Sequence, residues 1–196
     1  MVTTARLRGE LTGLRGPVPA GKPKAHKLGL TDNPYKDILA GMGKLADEIK
    51  QTKPFETPED EAFVSVLRTA EGFLWREAEL LKPYEVTLAQ YNVLRILRGA
   101  EPEGLICREI GERMITRDPD VTKLLDRLEA RGLVRRERQE ADRRVIVARI
   151  TPEGLLLLKE IDGPVLKMTE DLLGHLGERK LATLIRLLEE AREKAG

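Results

Sequence analysis

The stretch DPDVTKLLDRLEARGLVRRERQEADRRVIVARI, residues 118–150, decides the fold. Its first part has helical spacing, with Val121, Leu124, Leu125 and Leu128 on one face. Asp118 offers an N-cap and Pro119 a first helical position, so the pattern predicts a helix over 119–131. Gly132 supplies a left-handed cap at its end. The pattern then becomes extended. Residues 133–136 read as a short strand, 139–142 as a polar turn, and 144–150 as a return strand rich in β-branched side chains. Two strands this short cannot stand alone and must lean on the helices before them.

Upstream, Thr57-Pro58-Glu59-Asp60 carries a capping hydroxyl, a first-position proline and acidic groups for the positive end of a helix dipole. Phe63, Val66, Leu67, Ala70, Phe73 and Leu74 follow at helical spacing, and Pro83 stops the run. Thr87-Leu88-Ala89-Gln90 has the form of a capping box and opens a second helix, which Gly99 ends. A short helix is expected over 107–114. Ile106 stands where a Ser or Thr would commonly cap it, so its start is expected to lean on packing. Downstream, Thr151-Pro152-Glu153-Gly154 restarts a helix, and Gly163-Pro164 is expected to kink or interrupt it. A last helix follows Gly177 with Leu181, Leu184, Ile185, Leu187 and Leu188. The fold class is therefore mainly α (α+β): a winged helix-turn-helix flanked by long N- and C-terminal helices.

The chain has 196 residues and a net charge of +1. By block, the net charge is +5 over 1–36, −5 over 37–104, +3 over 105–150 and −2 over 151–196. Eleven of the twelve cations in 105–150 are Arg, whose planar fork suits phosphates and guanine edges. One cysteine excludes an internal disulfide framework and any multi-Cys zinc site, and His26 and His175 are too few and too far apart for a His-based centre. No nucleophile–base pair, phosphate loop or metal set occurs, so neither catalytic residues nor a cofactor nor a metal is expected. Without a long apolar run or a leader-like segment, the chain reads as cytoplasmic, with no membrane partner.

Residues 1–36 are rich in Gly and Pro with Tyr35 as their one aromatic, which suits a disordered basic tail. The division expected is a basic, disordered extension over 1–54 and a domain over 55–196. Within that domain, 87–151 forms the winged part, and 55–82 and 152–196 the flanking helices. Met42 stands just before the organised part and offers an alternative start for the chain. Peptides from residues 5–30 in native material would exclude that alternative.

A short helix, a tight turn, a second helix and a basic hairpin suit duplex DNA. A helix about 12 Å across fits the major groove, and a wing arginine suits the minor groove, where negative potential is focused. The order and spacing of several segments resemble the MarR-type transcriptional regulators over about residues 58–194. These segments are Leu88-Ala89-Gln90-Tyr91-Asn92-Val93-Leu94, Glu109-Ile110-Gly111-Glu112-Arg113-Met114, Val121-Thr122-Lys123-Leu124-Leu125-Asp126-Arg127-Leu128-Glu129, Arg131-Gly132-Leu133-Val134, Asp142-Arg143-Arg144 and Ile150-Thr151-Pro152-Glu153-Gly154. The resemblance implies a homodimer whose terminal helices interlock, binding a pseudo-palindromic double-stranded operator and repressing transcription until a small-molecule effector, unidentified here, relieves it. The Leu- and Ile-rich terminal helices support a partner surface independently, because they carry more apolar surface than one small winged domain can cover.

The DNA-binding candidates are Arg117 before the recognition helix, then Asp120, Thr122, Lys123 and Arg127 off its apolar face. In the wing they are Arg135, Arg136, Asp142, Arg143 and Arg144. Lys123 and Arg127 lie four apart and share a side. An Asp142–Arg144 pair would shape the wing, leaving Arg143 for the groove, although the family pattern also allows Arg144 that role. Arg135, Arg136 and Arg138 read as phosphate contacts or plain surface. The turn before Val121 is one residue longer than the usual family form. In the family, ligands often lie between the winged part and the dimer helices. That region here draws on Phe63, Leu67, Phe73, Trp75, Tyr91 and 155–161, residues that otherwise read as core. Cys107 reads as a small hydrophobe. A winged-helix module for protein–protein contact, without sequence-specific DNA binding, is the alternative; selection from a random DNA pool separates the two.

Overall fold

Helix N-caps set the frame. In the computed structural model, which describes residues 44–116, 120–139, 142 and 144–194, the Thr57 hydroxyl accepts the Asp60 N–H at 3.2 Å and opens α1, Pro58–Leu81. Thr87 and Gln90 form the reciprocal capping box of α2, Leu88–Arg98, with bonds of 3.2 and 2.9 Å. Thr151 caps α5, Pro152–Leu173. Between α2 and α5 lie β1 (Leu105–Ile106), α3 (Cys107–Arg113), α4 (Val121–Ala130), β2 (Val134–Arg138) and β3 (Ile146–Ile150). A last helix, α6, spans Gly177–Glu193. The chain divides into two units between Pro54 and Phe55. In the first, Lys44–Glu48 is helical, which corrects the expectation of disorder for those five residues. The tail over 1–36 and the alternative start at Met42 lie outside the described residues.

α2 sits at the centre of the second unit, with Val93, Leu94 and Leu97 fully buried. Ile110 of α3, Leu125 and Leu128 of α4, Val134 of β2, and Leu158 and Ile161 of α5 close around it. The three strands run antiparallel in the order β1-β3-β2, with Val134 opposite Ile150 and Leu105 opposite Ala148. β1 is too short to show a period, so the sequence pattern predicts only the hairpin of β2 and β3. Arg98 of α2 and Asp162 of α5 form a two-pronged ion pair at 2.7 and 3.1 Å, tying the winged part to the long helix behind it.

Three expectations change. α4 begins at Val121, not at 119, because the Asp120 carboxylate takes the N-cap role and accepts the Lys123 N–H at 3.1 Å; Asp118 and Pro119 lie outside the described residues. α5 runs unbroken through Gly163 and Pro164; both are exposed, where water can take the carbonyl that proline leaves free. The start of α3 does not rest on packing alone: the Glu109 carboxylate accepts the Ile106 N–H at 3.2 Å, supplying half of a capping box.

At the joint between wing and α5, the Thr151 hydroxyl donates to the Gly132 carbonyl at 2.7 Å and the Thr151 N–H to the Leu133 carbonyl at 3.1 Å. Gly132 has φ +70°, as its left-handed role requires. Phe63, Leu67 and Trp75, read from sequence as core, are 64%, 53% and 55% exposed. With Val66 and Leu74 they leave an apolar face on α1, joined by Leu156 and Leu166 of α5 and by Ile185 and Leu187 of α6. α6 buries none of its residues fully within one subunit.

Candidate nucleic-acid interface

α3 and α4 form the helix pair, and the turn between them is anchored from below. The Asn92 side-chain carbonyl on α2 accepts the Ile115 N–H at 2.9 Å. Leu124, Leu125 and Leu128 are buried, which turns Thr122, Lys123, Asp126 and Arg127 outward. The Lys123 ammonium lies 2.8 Å from the second Asp120 oxygen. Lys123 thereby holds the Asp120 carboxyl below the usual carboxylate range. In return Asp120 raises the lysine, while Arg127 beside it acts the other way.

On the wing, carboxylates hold some of the arginines in place. Arg136 of β2 is engaged by two acids of α4. Its N–H donates to one Glu129 oxygen at 2.9 Å, its Nε to the other at 2.9 Å, and its Nη2 reaches Glu129 at 2.5 Å and Asp126 at 2.8 Å. The pairing pushes the Glu129 carboxyl below its ordinary range. Arg149 of β3 donates to Glu137 at 2.7 Å and to the Pro102 carbonyl at 2.8 Å. Arg135 stands opposite Arg149 in the sheet. Like charges so placed repel, and Glu137, 3.3 Å from Arg135, separates them.

Arg113, Arg127, Arg138 and Arg144 are exposed, and no carboxylate lies within ion-pair distance of them among the described residues. Asp142 and Arg144 are linked, but through the backbone: the Asp142 carboxylate accepts the Arg144 N–H at 2.9 Å. The guanidinium stays exposed. Arg117 and Arg143 lie outside the described residues. Cys107 is free, half-buried and packed against the core.

A small cleft opens where α1, α2 and the α3–α4 turn meet. Glu77, Tyr91, Asn92, Arg95, Ile115 and Thr116 contribute to it. Only Tyr91 belongs to the set anticipated from sequence. Arg95 stacks over the Tyr91 ring, 5.7 Å from its centroid. Burial raises the Glu77 carboxyl above its usual range, and Arg95 opposes the shift. The sequence signal for this cleft is weak, because its residues come from three separated segments. No group of His, Cys, Asp and Glu suited to a metal ion occurs among the described residues.

A buried helix carrying a helix pair and a three-stranded basic wing defines a winged helix-turn-helix regulator. The chain belongs to the MarR family, whose model matches residues 84–145. It is 32% identical over 118 residues to the organic hydroperoxide resistance transcriptional regulator of Bacillus subtilis (strain 168), covering 59% of this chain and 78% of that protein. It is 39% identical over 98 residues to the HTH-type transcriptional regulator TtmR of Methylorubrum extorquens (strain PA1), covering 50% of this chain and 49% of that relative's length. The crystal structure of a MarR transcription factor from Planctomyces limnophilus is similar with 40% identity and a TM-score of 0.54, over 69% of this chain and 98% of the other.

Proposed function

We propose that this protein is a homodimeric, cytoplasmic transcriptional repressor that binds an inverted-repeat operator in double-stranded DNA and releases it when a small effector binds. The observation that carries the reading is the layout of charge. Arg127 of α4 and Arg138 and Arg144 of the wing are exposed without a carboxylate partner among the described residues, whereas Arg136 and Arg149 are bound to Glu129, Asp126 and Glu137. Thr122, Lys123 and Arg127 enter the major groove, with Asp120 orienting Lys123. Arg117 flanks the recognition helix. Arg143 and Arg144 serve the wing, Asp142 fixing the backbone there, and Arg135 meets phosphate. The exposed apolar faces of α1, α5 and α6 support the dimer. Two-fold symmetry then sets half-sites about one helical turn apart, or a multiple of it.

Selection from a random DNA pool tests this. An inverted repeat should enrich, and Lys123→Ala and Arg143→Ala should each weaken binding to it by at least ~1 kcal/mol. A pool without enrichment, or both variants binding as the parent does, rejects the reading.

The effector is assigned to the cleft beneath the α3–α4 turn, because a ligand there touches Asn92 and Ile115, which hold the turn. Effector binding shifts the balance only if it distinguishes the DNA-compatible arrangement from the other. The cleft also has a pH signature. Glu77 binds its proton more tightly folded than unfolded, so ionising it costs stability as pH rises past the ordinary glutamate value. Glu77→Gln should therefore be more stable than the parent at neutral pH, and the advantage should vanish in acid. Denaturant titrations at both pH values check it; a less stable variant at neutral pH would count against the assignment.

A further inference from the structure

Arg136 lies on the wing strand that would approach DNA, yet its side chain is 25% exposed and faces α4. Four polar links, one from its own N–H, join it to Glu129 and Asp126. Glu129 sits on the last turn of α4 and Asp126 one turn earlier. Both oxygens of Glu129 are occupied, one by the backbone of β2 and the other by the guanidinium. This grip acts on strand position as well as on side-chain charge. Between α4 and β2 the chain passes through Arg131, Gly132 and Leu133, and Gly132 is the left-handed pivot. A rotation there would swing the hairpin relative to the helix, and the grip spans the pivot.

We infer that Arg136, with Glu129 and Asp126, is a positioning residue that fixes the wing at one angle to the recognition helix, and that it does not spend its charge on a phosphate. The two roles make opposite demands on Glu129. If Arg136 contacts phosphate, Glu129 competes with the DNA, so removing its negative charge strengthens binding. If Arg136 positions the wing, removing that charge releases the hairpin and weakens binding. They also differ on Arg136→Lys: a phosphate contact tolerates a lysine, whereas a two-acid grip needs the planar fork. The salt dependence separates them again, since each lost phosphate contact flattens the slope of log affinity against log salt by about 0.9.

This inference rests on the DNA-binding reading for one of its two readouts only. The first uses DNA-free protein. Hydrogen exchange in Glu129→Gln should quicken about tenfold at the wing amides of Glu137, Gln139 and Val147, while Leu94 and Leu97 in α2 keep the parental rate. The second uses the selected operator. Glu129→Gln and Arg136→Lys should each bind about tenfold more weakly, the size of one lost charge-assisted bond, with the parental salt slope. Parental wing exchange in Glu129→Gln overturns the proposal. So does Glu129→Gln binding the operator as tightly as the parent or tighter, or Arg136→Ala, which removes one contact from each subunit, flattening the slope by about 1.8. If the parent selects no DNA, the operator reading falls and the exchange measurement alone decides whether the grip fixes the wing.

Discussion

Raising the salt from 50 to 200 mM is expected to lower operator affinity about ten-thousandfold, the loss that goes with some eight neutralised phosphates. The count comes from the structure. Arg113, Arg138 and Arg144 are exposed without a carboxylate partner among the described residues, Arg135 is exposed beside Glu137, and a dimer presents each of the four twice. Arg136 and Arg149 do not enter the sum, because Asp126, Glu129 and Glu137 already neutralise them. Fluorescence anisotropy of a labelled operator over that range measures the slope. A slope shallower than about −2 would mean that most of these cations never meet a phosphate.

Gly154→Ala is expected to destabilise the fold by about 2–3 kcal/mol, the upper part of the range for forced overpacking. A methyl group at Gly154 would drive into the Leu133 carbonyl oxygen and lie 2.7 Å from Ile150 Cγ1. The carbonyl is backbone, already held by the Thr151 N–H, and cannot step aside. The melting midpoint should fall by roughly 5–10 °C for a chain of this size. Gly72→Ala is the matching control. Nothing lies within 4 Å of the added atom, and the site is inside α1. There the helix gains about 0.5–1 kcal/mol from alanine's lower backbone entropy. Equal melting of the two variants would show that the wing joint has more slack than its geometry implies.

What could be read from residues alone was what is local in the chain. Thr57, Thr87 and Thr151 cap their own helices within three residues, and the apolar face of α4 repeats every three or four. Gly132 was legible because a left-handed position has few other occupants. The start of α4 was misplaced because two rules competed at adjacent residues, and Asp120 displaced the proline pattern. β1 escaped because two residues cannot display an alternation. The wing charges were harder still. Nothing in the local sequence separates Arg136 from Arg135, yet one is gripped by acids seven and ten residues back and the other is mostly exposed. The cleft at Glu77 and Ile115 likewise exists only once distant segments meet. Phe63 and Trp75 were legible as apolar but not as uncovered, since periodicity does not say whose core a face belongs to.

That last point reaches into how the protein behaves in dilute solution. α6 buries no residue fully, and Ile185 and Leu187 stay more than half exposed, so these two are covered only by whatever the subunit meets. Folding of the terminal helices and pairing of subunits are then a single equilibrium, subject to mass action, and thermal stability rises with protein concentration. For a regulator made in few copies, abundance itself becomes a variable: scarce chains are not merely fewer regulators but individually less complete ones.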